Sequence, residues 1–359
     1  MSGGSTELGE SVRRLGGWLA RLRWWVFALA LLIVGVVRTG PLPIGPEWVG
    51  WLRNAGDSLP QPSEYLSSSV GPAAVMKVLG SPGSVTWWVL GAILWACVFA
   101  VPILILARKG VKGRLIAIGI AASPAFAVTV TMLGHYDLWI IAGSATVVLA
   151  KRWWWAAVGA VIAVSGNPEQ AAPSAVAILL VALAWGNRRL ALRGLAYLGL
   201  AVAAIVLVAL WASAAGAPSR SGAFLQLIPL SVESFLGVWP LAIYAWLGPL
   251  WIVVLLAIAA LPRWSSRLLA IAGVVLIPGL MSMTTLDGTR VFVAVGAGAL
   301  VSMVALAMRG PWKEWEPAES SLAIAGAVMV LTPSVIIDTA GGIRLPYSDW
   351  MAQAKALRL

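Results

Sequence analysis

Apolar runs recur along this chain from Trp24 almost to the C-terminus, separated by short loops and never by a soluble block. That recurrence constrains the fold more than any other feature. Crossing the hydrocarbon core takes about 20 mainly apolar residues, roughly 17 to 25. Eleven stretches qualify as candidates, near 22–38, 84–107, 115–133, 138–150, 153–166, 171–185, 194–215, 240–261, 268–283, 291–308 and 321–337. The fourth, fifth and sixth are short, which implies tilt, local thinning or partial insertion. With 60% hydrophobic and 11% charged residues, the chain lies far from soluble composition, about 25% charged. The expected fold is all-α: one polytopic membrane domain over residues 1–359 with about 11 transmembrane helices.

Charge sets the expected orientation. Arg13, Arg14, Arg21 and Arg23 precede the first run, and further basic groups fall at 108–114, 151–152, 188–193, 263–267 and 309–313. Alternate loops thus hold most of the 25 basic residues, as the positive-inside rule asks. Residues 1–21 are then a cytoplasmic segment, 39–83 the first outer loop, and 338–359 an outer tail, in a multi-pass plasma-membrane protein. The "RRLGGWLARLRWW" flank, with no small-residue cleavage site after it, reads as the approach to a retained helix. Although the net charge is +11, it is split into short clusters between apolar runs, which argues against a nucleic-acid partner and for membrane lipids. A single cysteine, Cys97, lies inside an apolar run and suggests neither a disulfide nor a metal site.

The acids sort to the other face: Glu47, Asp57, Glu64, Asp137, Glu169, Glu233, Asp287, Asp338 and Asp349. Acids contribute little to orientation, so topology does not force this excess, and the outer face is where chemistry is expected. Its first loop contains "PEWVGWLRNAG", with a proline start, a glycine stop and Trp48, Trp51 and Leu52 at helical spacing. This predicts a short interfacial helix, and "SSSVGPAAVMKVLG" predicts a second. Glu47, Asp57 and Glu64 are either solvated loop charges or include a base for an acceptor hydroxyl. In "GHYD", Asp137 either orients the His135 imidazole or caps the helix starting at Leu138. In "SGNPEQ", Asn-Pro starts a helix, while Asn167, Glu169 and Gln170 offer polar contacts for a sugar or phosphate. Arg290 in "TLDGTR" has no orientation reason to stand at the outer end of a span. Its planar fork suits phosphate, with Asp287 either holding the fork or forming a local ion pair.

The order of these elements resembles the GT-C superfamily of polytopic glycosyltransferases. The first outer loop is similar to that family's acid, short amphipathic helix, turn, tyrosine and small-and-proline stretch. "GHYDLW" looks like its Gly-Gln/His-x-Asp helix opening, "SGNPEQAAPSAVAILLVAL" like its Lys-Pro-x-Ala segment, and "LDGTRVFVAVGAGAL" like its late helix. The sequence departs from the pattern at Glu47, where Asp is usual, and at Asn167, where lysine is common.

The resemblance implies a hexosyl or pentosyl transferase taking a polyprenyl-phosphate sugar to a cell-envelope glycan, glycolipid or protein by inversion. Glu47 would be the base, with Asp57 and Glu64 as the other first-loop acids, and Arg290 with His135 would face the donor phosphate. No cofactor is implied, and no ligand cluster demands a metal. The competing expectation is a lipid-linked sugar flippase or other transporter without covalent chemistry. Transporters tend to place charges at the midplane and to show repeats, whereas the polar residues here gather at one face.

Overall fold

The computed structural model describes residues 4–40, 46–59, 69–216, 220–338 and 342–344. Glu64 and Asp349 lie outside them. Within that set the chain is helical apart from one antiparallel pair, Ile336–Asp338 with Gly342–Arg344, in which Ile337 faces Ile343.

Four helices are long and apolar enough to cross a membrane singly: Ser84–Ala107, Arg188–Ala214, Trp264–Met283 and Gly288–Arg309. Three bent pairs raise the number to as many as 7 if each is one crossing: Glu7–Arg21 with Trp24–Thr39, Gly110–Ala122 with Pro124–Thr131, and Leu225–Gly237 with Trp239–Leu247. Asp137–Leu149, Trp153–Gly166, Pro168–Ala184, Leu250–Ala259 and Ser320–Leu331 are apolar helices of only 10–17 residues. At about 1.5 Å per residue each falls short of a core about 30 Å thick. Length therefore supports four to seven crossings where eleven were expected.

The shortening has local causes. The expected run 321–337 stops at Leu331 because Pro333 disfavours helix at the residue before it, and the chain then enters the strand Ile336–Asp338. The run 240–261 is cut at Gly248, whose φ of 52° ends one helix before Leu250 starts the next. Ser123 accepts the Phe126 N–H at 3.2 Å and Pro124 follows it, which stops one helix and starts another inside the run 115–133.

Two long helices hold a π-helical segment, Ala96–Ala100 and Ala272–Leu276, each just ahead of a proline, Pro102 or Pro278. A proline ring clashes with the carbonyl four residues earlier, and a wider turn at that point gives the carbonyl room.

Gly288–Arg309 is the axis of the bundle, with 72% of its apolar window buried. It packs against Asp137–Leu149, Pro168–Ala184, Ile277–Met283 and Pro124–Thr131. Small residues permit the approach: a Cβ on Gly298 would stand 2.7 Å from Ile178 and 2.9 Å from Ser144. Ser144, Ile178 and Gly298 therefore mark one level shared by three helices. Seven or eight residues back along each, about 12 Å, lie Asp137, Gln170 and Arg290. Three helix N-termini thus meet at one end, the end the charge pattern assigns to the outside.

At the opposite end the buried basic residues close helix C-termini. Arg114 donates to the carbonyls of Leu19, Ala20 (2.8 Å) and Leu22 (2.6 Å). Arg193 donates to Ala150 at 2.5 Å and Lys151 at 3.3 Å, beyond the helix Asp137–Leu149. Positions read in the sequence only as markers of orientation also satisfy carbonyls that have no helical partner.

Candidate functional site

The turn "GHYD" is built by its glycine. Gly134 has φ 93°, a conformation a side chain resists, and this turns the chain from Pro124–Thr131 into Asp137–Leu149. The Trp87 indole N–H donates to the Gly134 carbonyl at 3.0 Å. A second glycine, Gly91, makes room for the loop: a Cβ there would meet the Gly134 backbone nitrogen at 2.7 Å. The helix Ser84–Trp95 thereby pins the turn.

His135 and Asp137 point inward and are 5% and 2% exposed. The shortest contact of the imidazole is Nε2 to Arg290 Nη1, at 2.6 Å. Guanidinium can only donate, so Nε2 accepts and the ring proton sits on Nδ1, which faces Asp137 Oδ2 at 3.0 Å. The Asp137 backbone N–H lies farther from Nδ1, at 3.3 Å, and is not used in this tautomer. The imidazole is therefore neutral. Burial is the largest influence on it and pushes its pKa below the ordinary histidine value, with Arg290 acting in the same direction and Asp137 against it. Asp137 is the first residue of its helix, yet its carboxylate takes no backbone N–H and turns to His135 and Arg290 instead. Of the two expected roles, orientation is the one its geometry serves.

Arg290 joins the two sides. Nη2 donates to Asp287 Oδ2 at 2.5 Å, Nη1 lies 3.4 Å from Asp137 Oδ2, and the guanidinium stands 5.9 Å from the Tyr136 ring centre. With a neutral histidine, one cation faces two carboxylates, so the cluster is net negative. The partial positive charge of three converging helix N-termini offsets part of that. Arg290 Nε and Asp137 Oδ1 are buried and make no hydrogen bond among the described residues.

The roof is aromatic. The helix Pro46–Asp57 turns Val49, Leu52 and Ala55 onto Ala73 and Met76 of Val70–Val78 and onto Trp87 and Tyr136. Its Trp48 stands edge-on to His135, ring centres 4.9 Å apart. The apolar side expected to lie in the membrane interface is thus packed on protein, and Trp51 is the exposed remainder.

The other expected site residues divide. Glu47, next to Trp48, is exposed at the rim of this roof. Asp57 is at the far end of the same helix, where it accepts a hydrogen bond from Ser81 at 2.6 Å and ties the loop together. Asn167 caps Pro168–Ala184, accepting the backbone N–H groups of Glu169 (3.0 Å) and Gln170 (3.2 Å). Asn167 Nδ2 and Gln170 Oε1 remain buried without a hydrogen bond among the described residues. Glu169 is half-buried in the first turn.

Sequence reasoning missed Trp48, Tyr136 and Trp87, because tryptophans in such a chain read as an interfacial belt. It also missed Arg38, which is 4% exposed at the end of Trp24–Thr39 and donates to the Thr332 carbonyl at 2.8 Å. Arg38 meets the criterion that singled out Arg290, an arginine at the outer end of a span. Among the described residues no three His, Cys, Asp or Glu side chains group to hold a metal ion.

No family model, curated protein or solved structure matches the chain.

Proposed function

We propose that the chain is an inverting glycosyltransferase of GT-C type, moving a sugar from a polyprenyl-phosphate donor to a cell-envelope glycan, glycolipid or protein at the outer face of the plasma membrane. In this reading Trp239–Leu247 and Leu250–Ala259 form one crossing broken at Gly248, and the other four short helices cross a locally thinned bilayer or cross it in part, which gives eleven. The observation that carries it is the cluster of Arg290, His135, Asp137 and Asp287, set where three helix N-termini meet and roofed by the helix bearing Glu47.

The cluster as it stands has no positive charge to spare, so the donor phosphate needs a change in it. Asp287, with its side chain 24% exposed, is the partner a phosphate can displace from Arg290, since either oxyanion fits the same fork. As the phosphate draws Arg290 off His135 Nε2, that nitrogen takes up a proton from water and the imidazole becomes a second cation, held by Asp137 at Nδ1. Glu47 accepts the proton of the acceptor hydroxyl while that oxygen bonds to the anomeric carbon. The bond from anomeric carbon to phosphate oxygen breaks, and polyprenyl phosphate leaves with the electron pair. Stabilising that leaving phosphate by fixed cations in a partly dry site is the main catalytic contribution.

The test is sugar transfer in membranes supplied with a panel of polyprenyl-phosphate sugars. Wild type transfers from at least one donor, and Glu47→Gln lowers the rate about 100- to 10,000-fold with an unchanged melting temperature. Transfer from no donor sinks the reading. Full activity in Glu47→Gln, Asp57→Asn and Glu64→Gln alike removes the first-loop base.

The second reading, a lipid-linked sugar flippase or other transporter, is favoured by the π turns within two long helices, because such turns mark places where a helix changes shape. Movement of a labelled lipid-linked sugar by purified protein, with no transfer product, is its signature.

A further inference from the structure

The N-terminal helix Gly4–Arg21 carries an apolar side that no described part of the chain covers. One side is occupied: Gly16 lies flat on the start of Ser320–Leu331, where a Cβ would meet the Glu319 carbonyl oxygen and Ser320 Cα below 3 Å. Leu8, Leu15 and Trp18 face elsewhere and are 69%, 48% and 55% exposed. At about 3.6 residues per turn these three share an arc of roughly 80°, an apolar ridge interrupted only by the small Ser11. Arg14 and Arg21 are exposed beside it, and Arg13 is exposed across the helix from it.

Its direction is fixed. Between Glu7–Arg21 and Trp24–Thr39 the chain bends by 113°, and the Arg114 guanidinium holds the bend through three carbonyls. If Trp24–Thr39 enters a bilayer, the N-terminal helix runs along the surface of that bilayer. Trp24, under the Arg108 guanidinium at 3.9 Å, marks the level of entry. Around the helix, exposed Arg13, Arg14, Arg21, Arg23, Arg108 and Lys109 outnumber the acids Glu7, Glu10 and Glu319, and only Arg14 pairs with Glu10, at 2.6 Å, among the ion pairs described.

We infer that this helix is a binding surface for anionic phospholipid. It sits in the interface beside the first span, with Leu8, Leu15 and Trp18 among acyl chains and Arg14 and Arg21 on headgroup phosphates. Arginine forks match phosphate in two-point contact, and basic groups beside a span are drawn to anionic leaflets. The inference is independent of the chemistry at the other end of the bundle.

The test uses the full chain with Cys97→Ser and a spin label at Leu8→Cys or Leu15→Cys. It is reconstituted in vesicles of phosphatidylcholine alone or mixed with phosphatidylglycerol, and collisions with oxygen and with an aqueous nickel chelate report depth. In mixed vesicles both labels sit at the acyl boundary. In neutral vesicles, or in mixed vesicles at high salt, the water-exposed fraction rises. Arg14→Gln and Arg21→Gln raise it by up to about fivefold each. Should those variants fail to fold, the salt series on the labelled parent decides alone. Three results overturn the proposal: water exposure in both vesicle types, equal immersion in both, or shielding from both reagents, which would mark a protein partner.

Discussion

Three buried arginines stand at opposite ends of one bundle and are satisfied in opposite ways. Arg114 and Arg193, 6% and 5% exposed, stand in the opening turns of their own helices and give their protons to main-chain carbonyls where neighbouring helices end. Arg290, 8% exposed, sits where three helices begin. No unpaired carbonyls collect at a helix N-terminus, so its charge is met by Asp287, Asp137 and an imidazole nitrogen. An arginine at a helix C-terminus completes the backbone and is static. One at N-termini must import its counter-ions, and imported counter-ions can be exchanged for a ligand. Identical side chains at similar burial thus become fasteners on helix C-termini, as Arg38 also does on the Thr332 carbonyl, and a candidate site among N-termini.

The largest effect expected from breaking this contrast is at Arg290. Arg290→Met strands buried Asp137 beside Asp287 and costs about 3–5 kcal/mol, read as a fall in unfolding free energy in detergent. Adding Asp137→Asn removes one stranded charge and recovers part of the loss. At the other end Arg114→Met leaves carbonyls unpaired but strands no opposite charge, so the loss is smaller, about 1–3 kcal/mol. There Arg114→Lys recovers part of it, and removing an acid does not. An Arg114 variant rescued by an acid-to-amide change, or an Arg290 variant that is not, would erase the distinction between the ends.

The smallest effect is in pH. Because the native His135 value lies below the ordinary one, near 6.5, the unfolded chain binds a proton that the native chain refuses in the window between them. Stability is present in full above about pH 6.5 and is lost as pH falls through the depressed native value. Melting temperatures across this range decline towards acid, His135→Asn flattens the decline, and a bound phosphate donor flattens it too by letting the native state take the proton. A decline that is identical in His135→Asn assigns the slope to other groups.

Much of the site was legible because charge is rare in this chain: "GHYD" and "TLDGTR" are conspicuous among apolar runs, and they prove to be neighbours. Asn167 was legible in part, since Asn-Pro announces a helix start, which is the job its Oδ1 performs. Trp48, Trp87 and Tyr136 were not. An aromatic ring packing on an imidazole and one facing lipid have the same sequence signature, and only the fold separates them. The helical class followed from the lengths of the apolar runs. The sharp turn at Leu22–Arg23 did not, because it depends on a distant contact, the Arg114 guanidinium, rather than on a proline or glycine at the bend; the one at Val238 has Gly237 and Pro240 beside it, a signal that lies inside a predominantly apolar stretch.

The π-helical segment Ala96–Ala100 reaches the site from a distance. A π turn is an α-helix carrying one additional residue, so everything on its outer side is rotated by about 100° relative to an uninterrupted helix. Trp87 and Gly91 are on that outer side, and both must face the Gly134 turn. The additional residue therefore works as a gear tooth between the two halves of Ser84–Ala107. Deleting one residue from Ala96–Ala100 would restore a regular helix and swing the indole off the turn that aims His135, without altering a single residue of the site.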